Sequence, residues 1–252
     1  CLVGSEMCIR DRLLGGAHRR QIPVYGYGMM LRQEGIADLK ARFADEAIAI
    51  KQSGFVATKM KVGLGPKPDL ELAAAVRKAI GDDYRFMVDA NHCYTTSDAF
   101  HVGRGLEDLN AYWFEEPIAP EDHAGYRELR AGLKINISGG EAEFNRWGWR
   151  SLLETRGLDI AQPEVCALGG ISEYLRVLAL CHAHFTPVVN HVWGSAVAVA
   201  ANMHLLAAMP DLPGGLHPWN PMLEFDTTDN KFRDNLLQQP LNIQNQVASN
   251  NG

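Results

Sequence analysis

The chain has 252 residues, of which 46% are hydrophobic and 21% charged, and it carries a formal net charge of −6. This composition is typical of a globular protein and excludes collagen-like repeats, coiled coils and disorder as descriptions of the whole chain. An acidic chain without a cluster of Lys and Arg is a poor candidate for nucleic-acid binding.

The first residues and the apolar content of the chain bear on where the protein resides. Residues 1–12 fit no later pattern and do not form a signal peptide, so we interpret them as a non-native leader. The most apolar stretch, Ser195 to Met209, is too short to span a bilayer, so no membrane partner is expected. The five cysteines are widely spaced and include no CxxC pair, which is typical of reduced thiols in a cytoplasmic protein.

From Pro23 onward, short apolar runs alternate with stretches of helical periodicity. Ser97 and Ser172 are predicted caps, and Pro68 is placed in a first helical turn. The predicted strands are Pro23–Met29, Val56–Val62, Tyr84–Ala90, Tyr112–Glu115, Lys134–Ser138, Leu158–Gln162, Pro187–His191 and Pro221–Phe225. The predicted helices are Ile36–Gln52, Pro68–Ile80, Ser97–Leu109, His123–Ala131, Trp147–Thr155, Ser172–His184 and Ser195–Met209.

Strands that alternate with helices over short loops indicate a parallel sheet with helical crossovers. Seven or eight such units predict an α/β fold, a TIM-type (β/α)7β barrel over residues 13–225. The first strand–helix junction contains no GxGxxG, which argues against dinucleotide binding. Residues 226–252 end in a polar, Asn- and Gln-rich tail, which is expected to be an incomplete or disordered segment.

Polar side chains stand where successive predicted strands end, and in a barrel these ends form one rim that carries the catalytic groups. Taking one residue per strand from Lys61 to His191, the spacing is 23 to 28 residues, about one strand–helix unit each time. The rim residues are Lys59, Lys61, Asp89, Asn91, Glu115, Glu141, Gln162, Glu164, His191 and Glu224.

Three successive strands thus bring Asp89, Glu115 and Glu141 to one mouth. Carboxylates that face one another without compensation raise one another's pKa values. A hard divalent cation resolves the repulsion, and three carboxylate oxygens suit Mg²⁺. We therefore predict one Mg²⁺ at this rim; the alternative is that the acids are solvated loop charges or partners of Arg.

Lys59 and Lys61 are two residues apart on one strand, so both side chains face the same way. Adjacent ammonium groups lower each other's pKa, which favours a neutral, basic lysine; the alternative is a surface pair on an edge strand. His191 ends the seventh strand beside Glu164, a carboxylate that can orient its imidazole for acid–base chemistry. His92, after the third strand, is expected at the mouth as a substrate contact.

The motifs at these positions resemble the enolase superfamily, and within it the mandelate racemase and muconate lactonizing subgroup of acid-sugar enzymes. In detail they are similar to the galactarolactone cycloisomerases. The motifs are Thr58–Gly63 (TKMKVG), Val88–Asn91 (VDAN), Trp113–Pro117 (WFEEP), Gly139–Glu141 (GGE), Gln162–Glu164 (QPE), Gly169–Ile171 (GGI), His191–Gly194 (HVWG) and Met222–Asp226 (MLEFD).

The resemblance implies a role for each rim residue. Mg²⁺ on Asp89, Glu115 and Glu141 would stabilise an enediolate, and the pattern selects Glu115 over Glu116. The resemblance also implies that Lys61 is the base and that Lys59 lowers its pKa and contacts the substrate carboxylate. It implies that His191, oriented by Glu164, acts as acid or base on the other face. Asn91 and Glu224 would be substrate contacts. The family normally has Asp at the position of Glu164.

The resemblance further implies an enzyme that removes the α-proton of a sugar acid or aldarolactone, after which the substrate loses the group on its β-carbon by β-elimination. Alternatives are an acid-sugar dehydratase, a racemase or epimerase, a hydrolase or Schiff-base aldolase on the same fold, and an inactive fragment or binding module. The family carries an N-terminal capping domain that is missing here, so we interpret the chain as a fragment of a longer, homo-oligomeric enzyme.

Overall fold

In the computed structural model, residues 13–211, 219 and 221–236 are described, together with two short backbone strands at 243–244 and 247–249. The leader expected at residues 1–12 lies outside the described residues. The strands are β1 (Gln21–Tyr27), β2 (Ala57–Lys61), β3 (Arg85–Asp89), β4 (Trp113–Glu115), β5 (Asn136–Gly139), β6 (Ile160–Ala161), β7 (Leu223–Asp226), β8 (Ile243–Gln244) and β9 (Val247–Ser249). The helices are α1 (Ile36–Gln52), α2 (Pro66–Ile80), α3 (Thr96–Asp108), α4 (His123–Gly132), α5 (Arg146–Thr155), α6 (Ile171–Ala183), α7 (Ala196–Ala208) and α8 (Lys231–Asp234).

Strands β1 to β6 pair in parallel in chain order, and β7 returns to pair in parallel with β1. The curled parallel sheet with helices between its strands confirms the predicted barrel class. Buried side chains, most of them from successive strands, fill the interior of the sheet. This layer lies below the carboxyl ends of the strands. The layer consists of Tyr25, Ala57, Met87, Trp113, Ile160, Val189 and Met222.

The seventh predicted strand, Pro187–His191, is reduced to one bridge between Ala161 and Val188. On the β6 side, Ala161 N donates to Pro187 O at 2.8 Å and Val189 N to Ala161 O at 3.0 Å. On its other side, Val188 O accepts a hydrogen bond from the Trp219 indole at 3.1 Å. This hydrogen bond comes from a side chain and not from the backbone of a neighbouring strand. The segment is therefore extended without being a regular strand.

Part of the tail after β7 forms two short strands. Strand β9 pairs antiparallel with Gln21–Pro23 of β1, and β8 pairs with β9. These first residues of β1 precede its parallel pairings, which begin at Val24 with β7 and at Gly26 with β2. Their free backbone groups therefore offer an edge that β9 covers. Strand β7 also runs to Asp226, one residue past the predicted boundary.

Two helix starts differ from the predicted caps. Helix α3 is capped by Thr95, whose hydroxyl accepts from Asp98 N at 3.2 Å, and not by Ser97. Helix α6 begins directly after Gly170, which has φ +104°, so Ser172 lies inside the helix. Pro66 and not Pro68 begins α2. Among the described residues, no helix has both the length and the apolar character needed to cross a membrane.

Candidate active site

The register of the parallel sheet brings three of the predicted acids together. Asp89, the last residue of β3, is paired with Lys61 on one side and with Glu115 on the other. Glu141 follows β5 by two residues. One carboxylate oxygen from each of the three acids lies within 4.8 Å of the other two. Asp89 and Glu115 are fully buried, and Glu141 is partly exposed toward the mouth.

The charges of this carboxylate cluster fit a hard divalent cation. Burial and the neighbouring charge of Asp89 raise the pKa of Glu115 well above its usual range. Burial also raises the pKa of Glu141. Burial opposes ionisation of Asp89 as well, but Lys59 and Lys61 outweigh it and lower its pKa. The raised pKa values of Glu115 and Glu141 mean that a bound cation would favour their ionised forms, and carboxylate oxygens are the ligands that Mg²⁺ and Mn²⁺ prefer.

The two lysines of β2 have different surroundings. Lys59 is buried, with Nζ 2.5 Å from Glu115 Oε1 and 2.6 Å from Glu224 Oε1. Lys61 is partly exposed and lies 2.5 Å from Asp89 Oδ2. For Lys59 the expectation of a lowered pKa is wrong. Burial does lower it, but the charges of Glu115, Glu224 and Asp89 outweigh burial and raise the pKa of Lys59.

His191 lies on the other side of the carboxylate cluster. Its Nδ1 is 3.0 Å from Glu164 Oε2, and its Nε2 is 3.2 Å from Glu141 Oε2. The other oxygen of Glu164 accepts a hydrogen bond from Cys166 N at 2.9 Å, so the longer carboxylate is held at both oxygens and still reaches the ring. Burial lowers the pKa of His191, but Glu164, Glu224 and Glu141 raise it to about 9, which favours an imidazolium.

The three predicted substrate contacts lie at different depths. Glu224 is buried, and its two oxygens accept from Lys59 and from Val192 N, at 2.8 Å for the latter. Asn91 is exposed on the rim at φ +41°, and its backbone N donates to Asp89 Oδ1 at 3.0 Å. His92 is half-buried, with Nε2 3.0 Å from Glu116 Oε2. Asn91 and His92 therefore lie at the exposed edge of the site, whereas the buried Glu224 binds Lys59 in its interior.

Sequence reasoning gave no role to three further residues of the site. Trp113 Nε1 and Gln162 Nε2 donate to Glu115 Oε2 at 2.9 and 2.8 Å and thereby fix that carboxylate. The ring of Tyr27 is centred 5.4 Å from Lys59 Nζ and 5.9 Å from Lys61 Nζ. Strand periodicity could have found Trp113, because it lies two residues before Glu115 and so shares its face.

Comparisons with known proteins identify the family of this chain. The model of the enolase C-terminal domain-like family matches residues 42–249. The chain belongs to this family. Among curated proteins it is 39% identical to the D-galactarolactone cycloisomerase of Agrobacterium fabrum, over 94% of this chain and 62% of that relative. The chain thus spans less than two thirds of that relative's length.

Two solved structures place the fold among enzymes of sugar acids. The 3,6-anhydro-D-galactonate cycloisomerase from Zobellia galactanivorans has a TM-score of 0.85 and 38% identity, covering 95% of this chain and 63% of that one. The L-talarate/galactarate dehydratase from Salmonella typhimurium, liganded with Mg and L-lyxarohydroxamate, has a TM-score of 0.78 and 26% identity. This match covers 95% of this chain and 56% of the dehydratase chain. In this chain, Asp89, Glu115 and Glu141 form a group of acids that could hold a metal ion, and the dehydratase structure contains Mg.

Proposed function

We propose that the protein removes the proton α to a carboxylate of a sugar acid or aldarolactone and then expels the group on the β-carbon. Ring-opening of an aldarolactone, the reaction of a galactarolactone cycloisomerase, is the proposed overall conversion. The name of the 39% identical relative supports this substrate class. The proposed partner of the site is accordingly a small sugar acid or its lactone.

The observation that carries the proposal is the position of Lys61 and His191 on opposite flanks of the carboxylate cluster. Lys61 ends β2 and contacts Asp89 of β3. His191 lies after β6 and contacts Glu141, which follows β5. A substrate bound over the cluster has one face toward the lysine and the other toward the histidine, which is the arrangement that two-sided proton transfer requires.

The chain's own groups divide the reaction into two proton transfers. In its uncharged form, the Lys61 amine accepts the α-proton, and the electrons of the broken C–H bond pass to the substrate carboxylate. Lys59, held as a cation by Glu115 and Glu224, faces the negative charge that develops there. His191, held by Glu164, donates its Nε2 proton to the leaving oxygen as the β-carbon–oxygen bond breaks.

Asp89, Glu115 and Glu141 are the residues that we propose to hold one Mg²⁺. When bound, Mg²⁺ supplies a Lewis acid that stabilises negative charge on the substrate carboxylate. Trp113 and Gln162 keep Glu115 in one orientation, so the ligand set is largely preorganised.

The first test is exchange of the α-hydrogen in D2O, followed by proton NMR on a panel of aldarates and aldarolactones with Mg²⁺. We expect the wild-type chain to exchange this hydrogen, and Lys61→Met to exchange it roughly 10²- to 10⁴-fold more slowly, because the base is gone. Mn²⁺ affinity, measured by EPR of free Mn²⁺, should persist in the variant, since Lys61 is not a ligand. An active Lys61→Met protein contradicts the base assignment.

His191→Asn separates the second step from the first. We expect it to retain exchange of the α-hydrogen but to lose the eliminated product, because the acid for the leaving group is missing. His101→Asn, an exposed histidine on α3, is the matched control and should retain both. If His191→Asn loses both the exchange of the α-hydrogen and the eliminated product, His191 and not Lys61 is the base.

An acid-sugar dehydratase is the second candidate, favoured by the dehydratase among the similar structures. The same residues perform the same α-proton removal, with water as the leaving group. Mass spectrometry of the product separates the two: a cycloisomerase product keeps the mass of its substrate, whereas a dehydratase product has lost one water. Exchange without either product points to a racemase or epimerase.

A further inference from the structure

We infer that Glu116 is the positioning residue of the carboxylate cluster: it ties together the chain segments that carry Asp89, Glu115 and Glu141. This inference rests on the proposed metal site. Glu116 is not a member of the cluster, although it directly follows Glu115 in the chain. Its side chain, only 1% exposed, points instead toward the neighbouring strand ends.

The carboxylate of Glu116 binds two of these segments. Its Oε1 accepts a hydrogen bond from Gly140 N at 2.5 Å, and Gly140 immediately precedes Glu141. Its Oε2 lies 3.0 Å from His92 Nε2, and His92 is the third residue after Asp89. Tyr126 OH also donates to Oε2, at 2.8 Å, and so holds the carboxylate against helix α4.

The backbone of Glu116 repeats the same connections. Its O accepts from His92 N at 2.8 Å, and its N donates to Ser138 O at 3.0 Å. One residue therefore contacts the strand end before it and the strand end after it through both main chain and side chain. Displacement of Glu116 must move at least one metal ligand relative to the others.

Two strained or crowded positions accommodate this carboxylate. Glu116 itself has φ +43°, a left-handed conformation that costs a non-glycine residue free energy and persists only where the surroundings fix it. A Cβ on Gly139 would lie 2.7 Å from Glu116 Oε1. A side chain at position 139 would therefore displace the Glu116 carboxylate from its hydrogen bonds, and the buried contacts of Glu116 fix its unfavourable backbone conformation.

The test compares Mn²⁺ affinity, by EPR of free Mn²⁺, in Glu116→Ala, Glu116→Gln and wild type. We expect the dissociation constant to rise about 10- to 100-fold in Glu116→Ala, the usual effect of removing an outer partner of metal ligands. Glu116→Gln should bind close to wild type, because its amide oxygen can still accept from Gly140 N. If Glu116→Ala does not fold, Glu116→Asp decides, since its shorter carboxylate cannot reach both Gly140 and Tyr126.

A matched pair of tyrosines separates positioning from general stability. Tyr126→Phe removes the hydroxyl that holds Glu116, whereas Tyr84→Phe removes a hydroxyl bonded to Phe55 O at 2.7 Å, away from the cluster. We expect both to lower the melting temperature in EDTA, but only Tyr126→Phe to weaken Mn²⁺ binding. The inference is overturned if Glu116→Ala, or Glu116→Asp where the alanine variant does not fold, binds Mn²⁺ as tightly as wild type. Failure of wild type to bind Mn²⁺ overturns the proposed metal site instead.

Discussion

At the scale of single residues, Asp69 shows how a buried carboxyl group can organise a loop. It lies in the first turn of α2 and is 1% exposed. Its oxygens accept from the backbone N of Gly63, Leu64 and Gly65, and from Tyr94 OH at 2.6 Å. Gly63 and Gly65 have φ +151° and +111°, so this loop needs both glycines and a fixed acceptor. The loop follows Lys61 directly, and Asp69 thereby fixes where β2 ends.

We expect Asp69→Ala to lower the free energy of unfolding by about 3 kcal/mol, because several buried donors lose their acceptor at once. Tyr94→Phe removes only one of these bonds and should cost about 1 kcal/mol. Urea unfolding followed by circular dichroism measures both. A smaller loss in Asp69→Ala than in Tyr94→Phe would show that the loop does not depend on this carboxylate.

At the scale of elements, an ion pair joins the starts of two helices on the rim. Arg146, the first residue of α5, donates to Glu173 of α6 from its backbone N at 3.0 Å and from its guanidinium at 2.7 and 2.5 Å. These bonds lower the pKa of Glu173 to about 2. A carboxylate with a lowered pKa contributes stability above its ordinary pKa of about 4.3 and loses it as the pH falls through about 2.

Glu173→Gln should therefore flatten the decline of the melting temperature between about pH 4.5 and pH 2 relative to wild type. Differential scanning calorimetry over this range is the measurement. The control is Glu154→Gln, which breaks an exposed pair with Arg150 at 3.6 Å and should leave the decline unchanged. Identical slopes in Glu173→Gln and wild type would mean that other carboxylates govern the acid transition.

Sequence periodicity predicted the helices and strands better than it predicted which strands pair with one another. Helix Ile36–Gln52 was predicted with its observed bounds, because its buried positions recur at helical spacing. The segment Pro187–His191 has the composition of a strand, but its pairing depends on what lies across from it, which no local pattern records. The antiparallel pairing of β9 with β1 is likewise set by backbone groups left free at the start of β1.

The rim residues followed from strand spacing, whereas their electrostatics did not. That Asp89, Glu115 and Glu141 meet is a consequence of parallel register, which sequence spacing records. The raised pKa of Lys59 depends on Glu224, whose distance from Lys59 is set only by the pairing of β7 with β1. Glu116 has a left-handed backbone conformation, which few sequences would suggest for glutamate.

At the scale of the whole molecule, metal binding should stabilise the fold, because the carboxylate cluster repels itself without a cation. At Mg²⁺ a hundredfold above its dissociation constant, the free energy of unfolding rises by about 2.7 kcal/mol. For a chain of this size, the melting temperature rises by roughly 5 to 11 °C. Thermal melts in EDTA and in Mg²⁺ measure the shift, and Glu141→Gln should reduce it. An equal shift in that variant would place the ion elsewhere.

The pairing of β1 with β7 has a consequence for how the protein folds as it is synthesised. Thr227 and Tyr27, which are hydrogen-bonded at 2.8 Å, are 200 residues apart in the chain. Strand β1 is therefore synthesised well before β7, and one of its edges stays without its parallel neighbour until β7 has emerged. Because Glu224 of β7 anchors Lys59, the candidate site is completed only at this long-range pairing, and the nascent chain carries an open sheet edge until then.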